Sequence, residues 1–229
     1  MILFIDTAFD ITTLVIKKDE KFYKEKIDAN ISISQVLIER TKIILEKANS
    51  KKTDIRLIVF NQGPGNFTSL RVALAYVKAM AFHLNISIIT LNSFQIMALS
   101  AIKIQSEHPF IVAIDARMHE IYWAEYNNYL DIFTENKGYS LLSVEKCCEK
   151  LKYLKEKKIT LIKDNSKTII GSKNYNTLLN EILITPHNID INNIFEAIEK
   201  NIYFEEENVN KVSLLYIRDN VAQKQKKNE

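Results

Sequence analysis

The sequence predicts an α/β protein built from two similar lobes, and three observations carry this reading. A short apolar run ending in an acid, Ile2–Ile5 then Asp6, precedes two more extended stretches, and the same order restarts after Pro109, where Phe110–Asp115 ends in Ile114-Asp115-Ala116. Behind each meander, apolar runs alternate with helical periodicities, as a partly parallel sheet with crossover helices requires. The 229 residues are 47% hydrophobic and 26% charged, enough for one large domain or two modest lobes and incompatible with wholesale disorder.

Taken in order, Ile2–Ile5 is the first strand. Thr12–Ile16, rich in β-branched residues, is the second, and the turn Lys18-Asp19-Glu20 leads into a third near Phe22–Lys26. Ser34–Ala48 places Leu37, Ile38, Thr41, Ile44, Leu45 and Ala48 on one helical face. Leu57–Phe60 is a strand, Thr68–Leu84 a helix, Ile86–Leu91 a strand, and Ser93 caps a helix through Gln105. The first lobe, residues 1–108, therefore reads βββαβαβα. In the second, 109–222, Phe110–Asp115 and Ile121–Tyr126 are joined through the hairpin between them, and Asn127-Asn128 turns into a third strand near Leu130–Thr134. A helix near Val144–Lys155, a strand at Thr160–Ile162, a poorly patterned stretch to Asn192, a helix near Ile194–Phe204 and an extended Val212–Ile217 complete it. Residues 223–229 form a polar, mostly basic tail expected to be disordered.

Composition narrows the function. With 31 basic and 28 acidic side chains, the net charge of +3 is too mild to mark a nucleic-acid binder by charge alone. No apolar run approaches the roughly 20 residues that span a bilayer, and Asp6 interrupts the N-terminal run too early for a signal peptide, so a cytoplasmic protein is expected. Cys147 and Cys148 are adjacent, a geometry that closes no useful loop, and read as reduced thiols. The four histidines never fall at i, i+3 or i, i+4 and no C-x-x-C occurs, so neither a metal site nor a cofactor is expected. No G-x-S-x-G is present, and the basic clusters Lys155–Lys158 and Lys224–Lys227 lack interleaved aromatics and read as solvated surface.

Three local features bear on chemistry. Gly63-Pro64-Gly65-Asn66-Phe67-Thr68-Ser69-Leu70-Arg71 joins a strand to a helix through two glycines. Such a turn aims N–H groups at an anion or is simply tight, with Asn66 or Thr68 as the cap. It lacks the G-K-[ST] ending of a P-loop and the third glycine of a dinucleotide fingerprint. Second, Asp6 and Asp115 end equivalent strands, where a two-lobed phosphotransferase would hold a nucleotide and its metal. The residues that follow, Thr7-Ala8-Phe9-Asp10 and Ala116-Arg117-Met118-His119, are bulky where phosphates need bare backbone. The preferred reading is that both acids bond to loop backbone and fix the meander, with Arg117 as an ion partner. Third, the helix Thr68–Leu84 turns Leu70, Leu74, Val77, Ala81 and Leu84 to the sheet, yet its opposite face carries Thr68, Val72, Ala75, Tyr76, Ala79 and His83. Val36 and Ile43 on the preceding helix also point away from the sheet. A helix apolar on two sides needs a second surface, either the second lobe or a loop of the same chain or a partner, and these residues form the candidate docking face, with another helix as the natural occupant.

Four segments in this order, Ile5-Asp6-Thr7-Ala8, Gly63–Arg71, Ala113–Ala124 and Tyr216–Ala222, resemble the hallmark segments of the TsaB (YeaZ) family across nearly the whole chain. The resemblance implies the actin/Hsp70/sugar-kinase (ASKHA) fold, two RNase H-like lobes each built on a βββαβα core. It also implies a role in making N6-threonylcarbamoyladenosine in tRNA. In that pathway TsaC makes the threonylcarbamoyl-adenylate and TsaD transfers the group to adenine. TsaB is the non-catalytic partner that pairs with TsaD through helices, joined by the ATPase TsaE. The tRNA would be met through the complex, and the same helices would permit a homodimer when TsaD is absent. Against this stands a second reading, an ATP-handling enzyme or glycoprotease-like peptidase acting alone. The sequence departs from the family pattern at Ser69, Ala73 and Ala75, where relatives often carry glycine or another small residue, and at Ile33, where many have histidine. Residues 159–192 match least.

Overall fold

The computed structural model describes residues 1–28, 33–101, 108–134, 138–154, 159–164, 180–184, 188–200 and 204–218. The expected meander forms: β1 (Ile2–Asp6), β2 (Ile11–Lys18) and β3 (Lys21–Asp28) pair antiparallel, with Asp6 opposite Thr13. Helix α1 (Ile33–Lys47) leads through a short 3-10 turn to β4 (Leu57–Asn61), which runs parallel to β1. Helix α2 (Phe67–Leu84) crosses over to β5 (Ser87–Leu91), parallel to β4. The sheet order is β3-β2-β1-β4-β5.

After α3 (Ser93–Ala101), the second sheet repeats that plan. Strands β6 (Phe110–Asp115), β7 (Glu120–Tyr126) and β8 (Ser140–Ser143) form its meander, followed by α4 (Val144–Leu154). Strand β9 (Thr160–Lys163) runs parallel to β6, and β10 (Asn180–Leu183) parallel to β9. The order β8-β7-β6-β9-β10 copies that of the first sheet, so the fold is a duplicated, ASKHA-type α/β architecture. Helix α5 (Ile191–Lys200) precedes an irregular segment, 205–217.

Four local expectations are corrected. Leu130–Thr134 is not a strand: Tyr129–Phe133 is a 3-10 helix whose N-cap, Asn128, accepts from Asp131 N–H, burying Tyr129 and Ile132 one turn apart. The third strand of the meander is β8 instead. Strand β10 lies within the stretch that carried no readable pattern. Ser93 does not cap α3. Asn92 does, in a reciprocal pair in which Asn92 Oδ1 accepts from Gln95 N–H and Gln95 Oε1 accepts from Asn92 N–H, each at 2.9 Å. Ile38 lies on the outside of α1, 56% exposed, because Leu37 takes the sheet-facing position of that turn. The C-terminal half of the expected α3 and the 223–229 tail lie outside the described residues.

Each sheet buries both faces. On the first, Leu3, Ile5, Leu14, Ile16, Ile58 and Phe60 point to α1 and α2, while the alternating Phe4, Val15, Val59 and Ile89 point the other way. On the second, Ile111, Ala113, Ile121 and Trp123 pack on α4, and Phe110, Val112, Ile114, Ala124 and Tyr126 face inward. The two inward faces share one core with α3 and α5, including Phe94, Met97, Ile194 and Phe195. The segment after α5 crosses back to the first sheet. Glu207 and Ile88 exchange backbone hydrogen bonds at the β5 edge, Leu215 N–H donates to Gln62 O, and Val212 is buried among the residues under α1 and α2. Residues 205–217, grouped by sequence with the second lobe, thus lie against the first.

The strand-to-helix turn after β4 is closed by contact with the turn after β1. Gly63 has φ +97°, open to glycine at little cost. Asn66 N–H donates to Ala8 O at 2.7 Å, and a Cβ on Gly65 would stand 2.3 Å from that same carbonyl oxygen. Gly65→Ala is therefore expected to destabilise the protein by about 1–3 kcal/mol in urea unfolding, through forced backbone movement. Gly138→Ala, whose Cβ would meet nothing within 4 Å, should leave stability unchanged or slightly raised, and equal effects of the two would contradict the close-approach account.

Candidate functional site

The two acid-ended strands lead into different turns. Asp6 is 1% exposed. Its Oδ1 accepts from Ala8 N–H and from Asn61 Nδ2, both at 2.9 Å, whereas Oδ2 is buried without a hydrogen-bond partner among the described residues. Asn61 Oδ1 in turn accepts from Gly63 N–H and Ser93 Oγ–H, and Ser93 Oγ also lies 2.6 Å from Pro64 O. One carboxylate thus ties the end of β1 to the β4 turn and the start of α3. Burial drives the Asp6 carboxyl from the ordinary 3.8 up to about 6, against the opposing effect of the Ala8 and Asn61 hydrogen bonds. At the equivalent turn of the second lobe, Asp115 is half-buried. Its Oδ1 accepts from Arg117 N–H and its backbone N–H donates to Asp164 Oδ2, both at 2.8 Å. Both acids therefore bond to loop backbone two residues on.

Arg117 does not serve as expected. It meets Asp115 through its backbone, and its guanidinium pairs at the surface with Asp10 at 3.3 Å. Arg117, Met118 and His119 all have positive φ, 64°, 54° and 60°. Three such non-glycine residues in a row are a strained hairpin, held from outside by Arg218, which donates to Ala116 O at 3.0 Å and pairs with Glu120. The β4 turn is likewise filled from within. Gly63 N–H goes to Asn61, Asn66 N–H to Ala8 O, and Ser69 N–H to the Asn66 side chain, which is the α2 cap. These three donors are committed to the protein, so the geometry favours a structural turn over an anion site.

On α2 the sheet-facing residues are Leu70, Ala73, Val77, Met80 and Ala81, with Leu74 and Leu84 half-buried at the margins. The outer face is largely bare. Thr68, Ala75, Ala79 and His83 are exposed, and Phe82, seven residues beyond Ala75 and so on the same line, is 79% exposed. Val72 and Tyr76 are only half-exposed, because they pack into the core beneath α1 and α2. Val36, expected to point outward, is buried in that core at 4% exposure, and Ile43 is half-buried. The two helices lie side by side on one sheet face, so the flank of α1 that looked spare on a helical wheel is used against its neighbour. Phe82 and Ile38 were missed by sequence reasoning. Extending the Ala75 stripe by seven residues would have found Phe82; Ile38 carried no such signal.

Cys147 is buried on α4, and burial pushes its thiol up to about 12; Cys148 is half-buried, with its thiol also raised by burial. Neither is an activated nucleophile. Among the described residues, no cluster of three His, Cys, Asp or Glu side chains could hold a metal ion, and no helix is long and apolar enough to cross a membrane.

Fold and site together define an ASKHA-type protein whose strand-end turns are packed with its own side chains and whose helix α2 keeps an exposed outer face. A family model described as "TsaD: tRNA N6-adenosine threonylcarbamoyltransferase" matches residues 28–183. Two proteins named "tRNA threonylcarbamoyladenosine biosynthesis protein TsaB", from Buchnera aphidicola subspecies Schizaphis graminum and Acyrthosiphon pisum, are 29% and 30% identical. Each alignment takes in 74% of this chain, with 80% and 76% of the relative. The protein of that name from Escherichia coli K12 is 28% identical over 55% of this chain and 54% of its own length. The solved structure of YeaZ from Pseudomonas aeruginosa superposes with a TM-score of 0.68 over 94% of this chain and 98% of that one. At 18% identity this likeness speaks for the fold alone. The chain belongs to the family of that model and, within it, to the TsaB (YeaZ) proteins.

Asp6 makes a prediction about pH. A carboxyl whose folded pKa is raised favours the fold fully below about 3.8, and that contribution is lost as pH rises through about 6. Asp6→Asn keeps an oxygen acceptor for Ala8 and Asn61 and cannot ionise. Its stability relative to the parent should therefore rise by about 2–3 kcal/mol between pH 4 and pH 7. Urea unfolding at the two pH values checks this, and a difference that stays constant would show that Asp6 does not ionise at a cost.

Proposed function

We propose that this chain is the non-catalytic partner subunit of a tRNA N6-threonylcarbamoyladenosine-forming assembly, docking through the outer face of α2 onto the TsaD transferase. TsaE joins that pair, and tRNA is engaged by the complex rather than by this chain alone. The observation that carries the reading is the stripe Thr68, Ala75, Ala79, Phe82 and His83. It is solvent-exposed along an 18-residue helix that already buries its other side, and its alanines let a partner helix approach closely. Val72 and Tyr76 border the stripe as a half-exposed margin. In this reading Val36 and Ile43 support α2 from beneath or beside it instead of meeting the partner. Two lobes, 1–108 and 109–222, form the scaffold, the assembly works in the cytoplasm, and the same face supports a homodimer when TsaD is absent.

A free-standing ATP-handling enzyme or peptidase is the competing reading. Against it stand the committed N–H groups of the β4 turn, the bulky hairpin after Asp115 and the thiols held protonated on α4.

Size-exclusion chromatography with light scattering, on this protein mixed with TsaD of the same source, should give a peak at the heterodimer mass. Ala75→Arg or Ala79→Arg should weaken that complex at least tenfold while leaving the thermal melt of the isolated chain unchanged; normal binding by both variants would move the interface off α2. The isolated protein should turn over ATP no faster than a blank. Robust turnover that Asp6→Ala removes would favour the enzyme reading instead.

A further inference from the structure

Helix α2 runs Phe67-Thr68-Ser69-Leu70-Arg71-Val72-Ala73-Leu74-Ala75-Tyr76-Val77-Lys78-Ala79-Met80-Ala81-Phe82-His83-Leu84 and contains no acidic residue. Its charged side chains, Arg71 and Lys78, are both cations, so whatever lies along it gains by being acidic. Arg71 is singular among them. It is exposed, one turn before Ala75 on the same face. Its guanidinium carbon sits 3.7 Å from the centroid of the Phe67 ring. Its Nε–H donates to Tyr216 Oη at 3.3 Å, and the Tyr216 ring leans on Phe67 with centroids 6.0 Å apart. Arg71 forms no ion pair with any described residue, in contrast to the neighbouring Arg117 and Arg218, which are matched with Asp10 and Glu120. Phe67 and Tyr216 remain 37% and 53% exposed.

A long cation normally loses side-chain freedom when it is captured. Here stacking on one ring and one hydrogen bond through Nε have already restricted Arg71, leaving both Nη groups without an acceptor among the described residues. Such a guanidinium is prepared for two parallel hydrogen bonds to a carboxylate, a geometry a lysine cannot offer. Tyr216 comes from the segment that returns from the second lobe, so this segment contributes to the same surface.

We propose that Arg71, positioned by Phe67 and Tyr216, is the charged anchor of the docking face and receives a carboxylate side chain of the protein that packs on α2. This rests on the reading that α2 docks TsaD, and it adds the partner's chemistry and the part played by the 205–217 segment. A protein carboxylate is favoured over an RNA phosphate because the surrounding arginines are already neutralised by Asp10 and Glu120, leaving one open guanidinium beside an apolar stripe instead of a broad basic surface.

The test is the affinity of full-length protein for TsaD of the same source, measured by calorimetry at low and moderate salt. Arg71→Gln should weaken binding tenfold or more and flatten its salt dependence. Arg71→Lys should recover only part of the loss, and Tyr216→Phe, which keeps the ring but removes the acceptor, should cost a few-fold. Ala79→Arg is measured beside them. If Ala79→Arg abolishes binding while Arg71→Gln stays within twofold of the parent, the anchor is overturned and the docking reading stands. If neither variant changes binding, the docking reading itself falls, and the anchor with it. If Arg71→Gln binds TsaD normally but loses binding of the isolated chain to tRNA, the group that Arg71 receives is a phosphate and the proposal is overturned.

Discussion

The central strands of both sheets carry apolar side chains on both faces, and a sheet of this kind has to be covered twice. In each lobe one covering layer is helical and lies outside, α1 and α2 on the first sheet and α4 on the second. The other layer is shared. Phe4, Val15 and Val59 from one sheet, Phe110, Val112 and Tyr126 from the other, and α3 and α5 between them form one continuous core. By area, each large side chain buried there contributes about 1.5–3 kcal/mol relative to exposure, so separating the lobes would expose too much for either to hold its shape alone. The Lys17–Glu199 ion pair and the return of residues 205–217 to the β5 edge tie the halves further.

That arrangement has consequences at the strand ends, where proteins of this fold class that handle nucleotides need open, glycine-lined turns. Here Ala8 fills the approach to the β4 turn, Asp6 spends one carboxylate oxygen on Ala8 and Asn61, and the hairpin after Asp115 holds three bulky residues in the left-handed region. The polar groups are used to hold turns together. What is left open is a stripe on the outer side of α2, formed by Thr68, Ala75, Ala79, Phe82 and His83. The surface proposed to carry function is therefore a helix face, and the TsaB relatives are named for tRNA threonylcarbamoyladenosine biosynthesis.

Most of the architecture was legible in the sequence because period and punctuation were strong. Alternating apolar strands, the acid at the end of each first strand and the glycine turn at Gly63–Gly65 marked the duplicated sheets, and β6 matches its expected bounds, Phe110–Asp115. The failures have local causes. Leu130–Thr134 is apolar enough for a strand, but Asn128 and Asp131 supply capping bonds that favour a 3-10 turn. β10 could not be seen because four residues are too few to carry a period of their own; they pair as a strand along the edge of β9. The docking face was half legible. A helical wheel identifies which residues of α2 avoid the sheet, so Ala75 and Ala79 emerged, but it is blind to a neighbouring helix, which is why Val36 was assigned outward when it is buried. Tyr216 on Arg71 joins residues 145 positions apart and could not be read from either segment.

The central claim, that a partner covers the outer face of α2, is tested most directly by chemical accessibility. The native thiols make a quiet background, since burial raises the pKa of both Cys147 and Cys148. A cysteine placed at Ala79 should react rapidly with a maleimide in the isolated protein and at least tenfold more slowly once TsaD is added. A cysteine at the exposed Leu130, on the second lobe, should react at the same rate in both. Protection at position 79 alone is the predicted result. An unchanged rate at position 79, in a sample shown by light scattering to contain the complex, would contradict it.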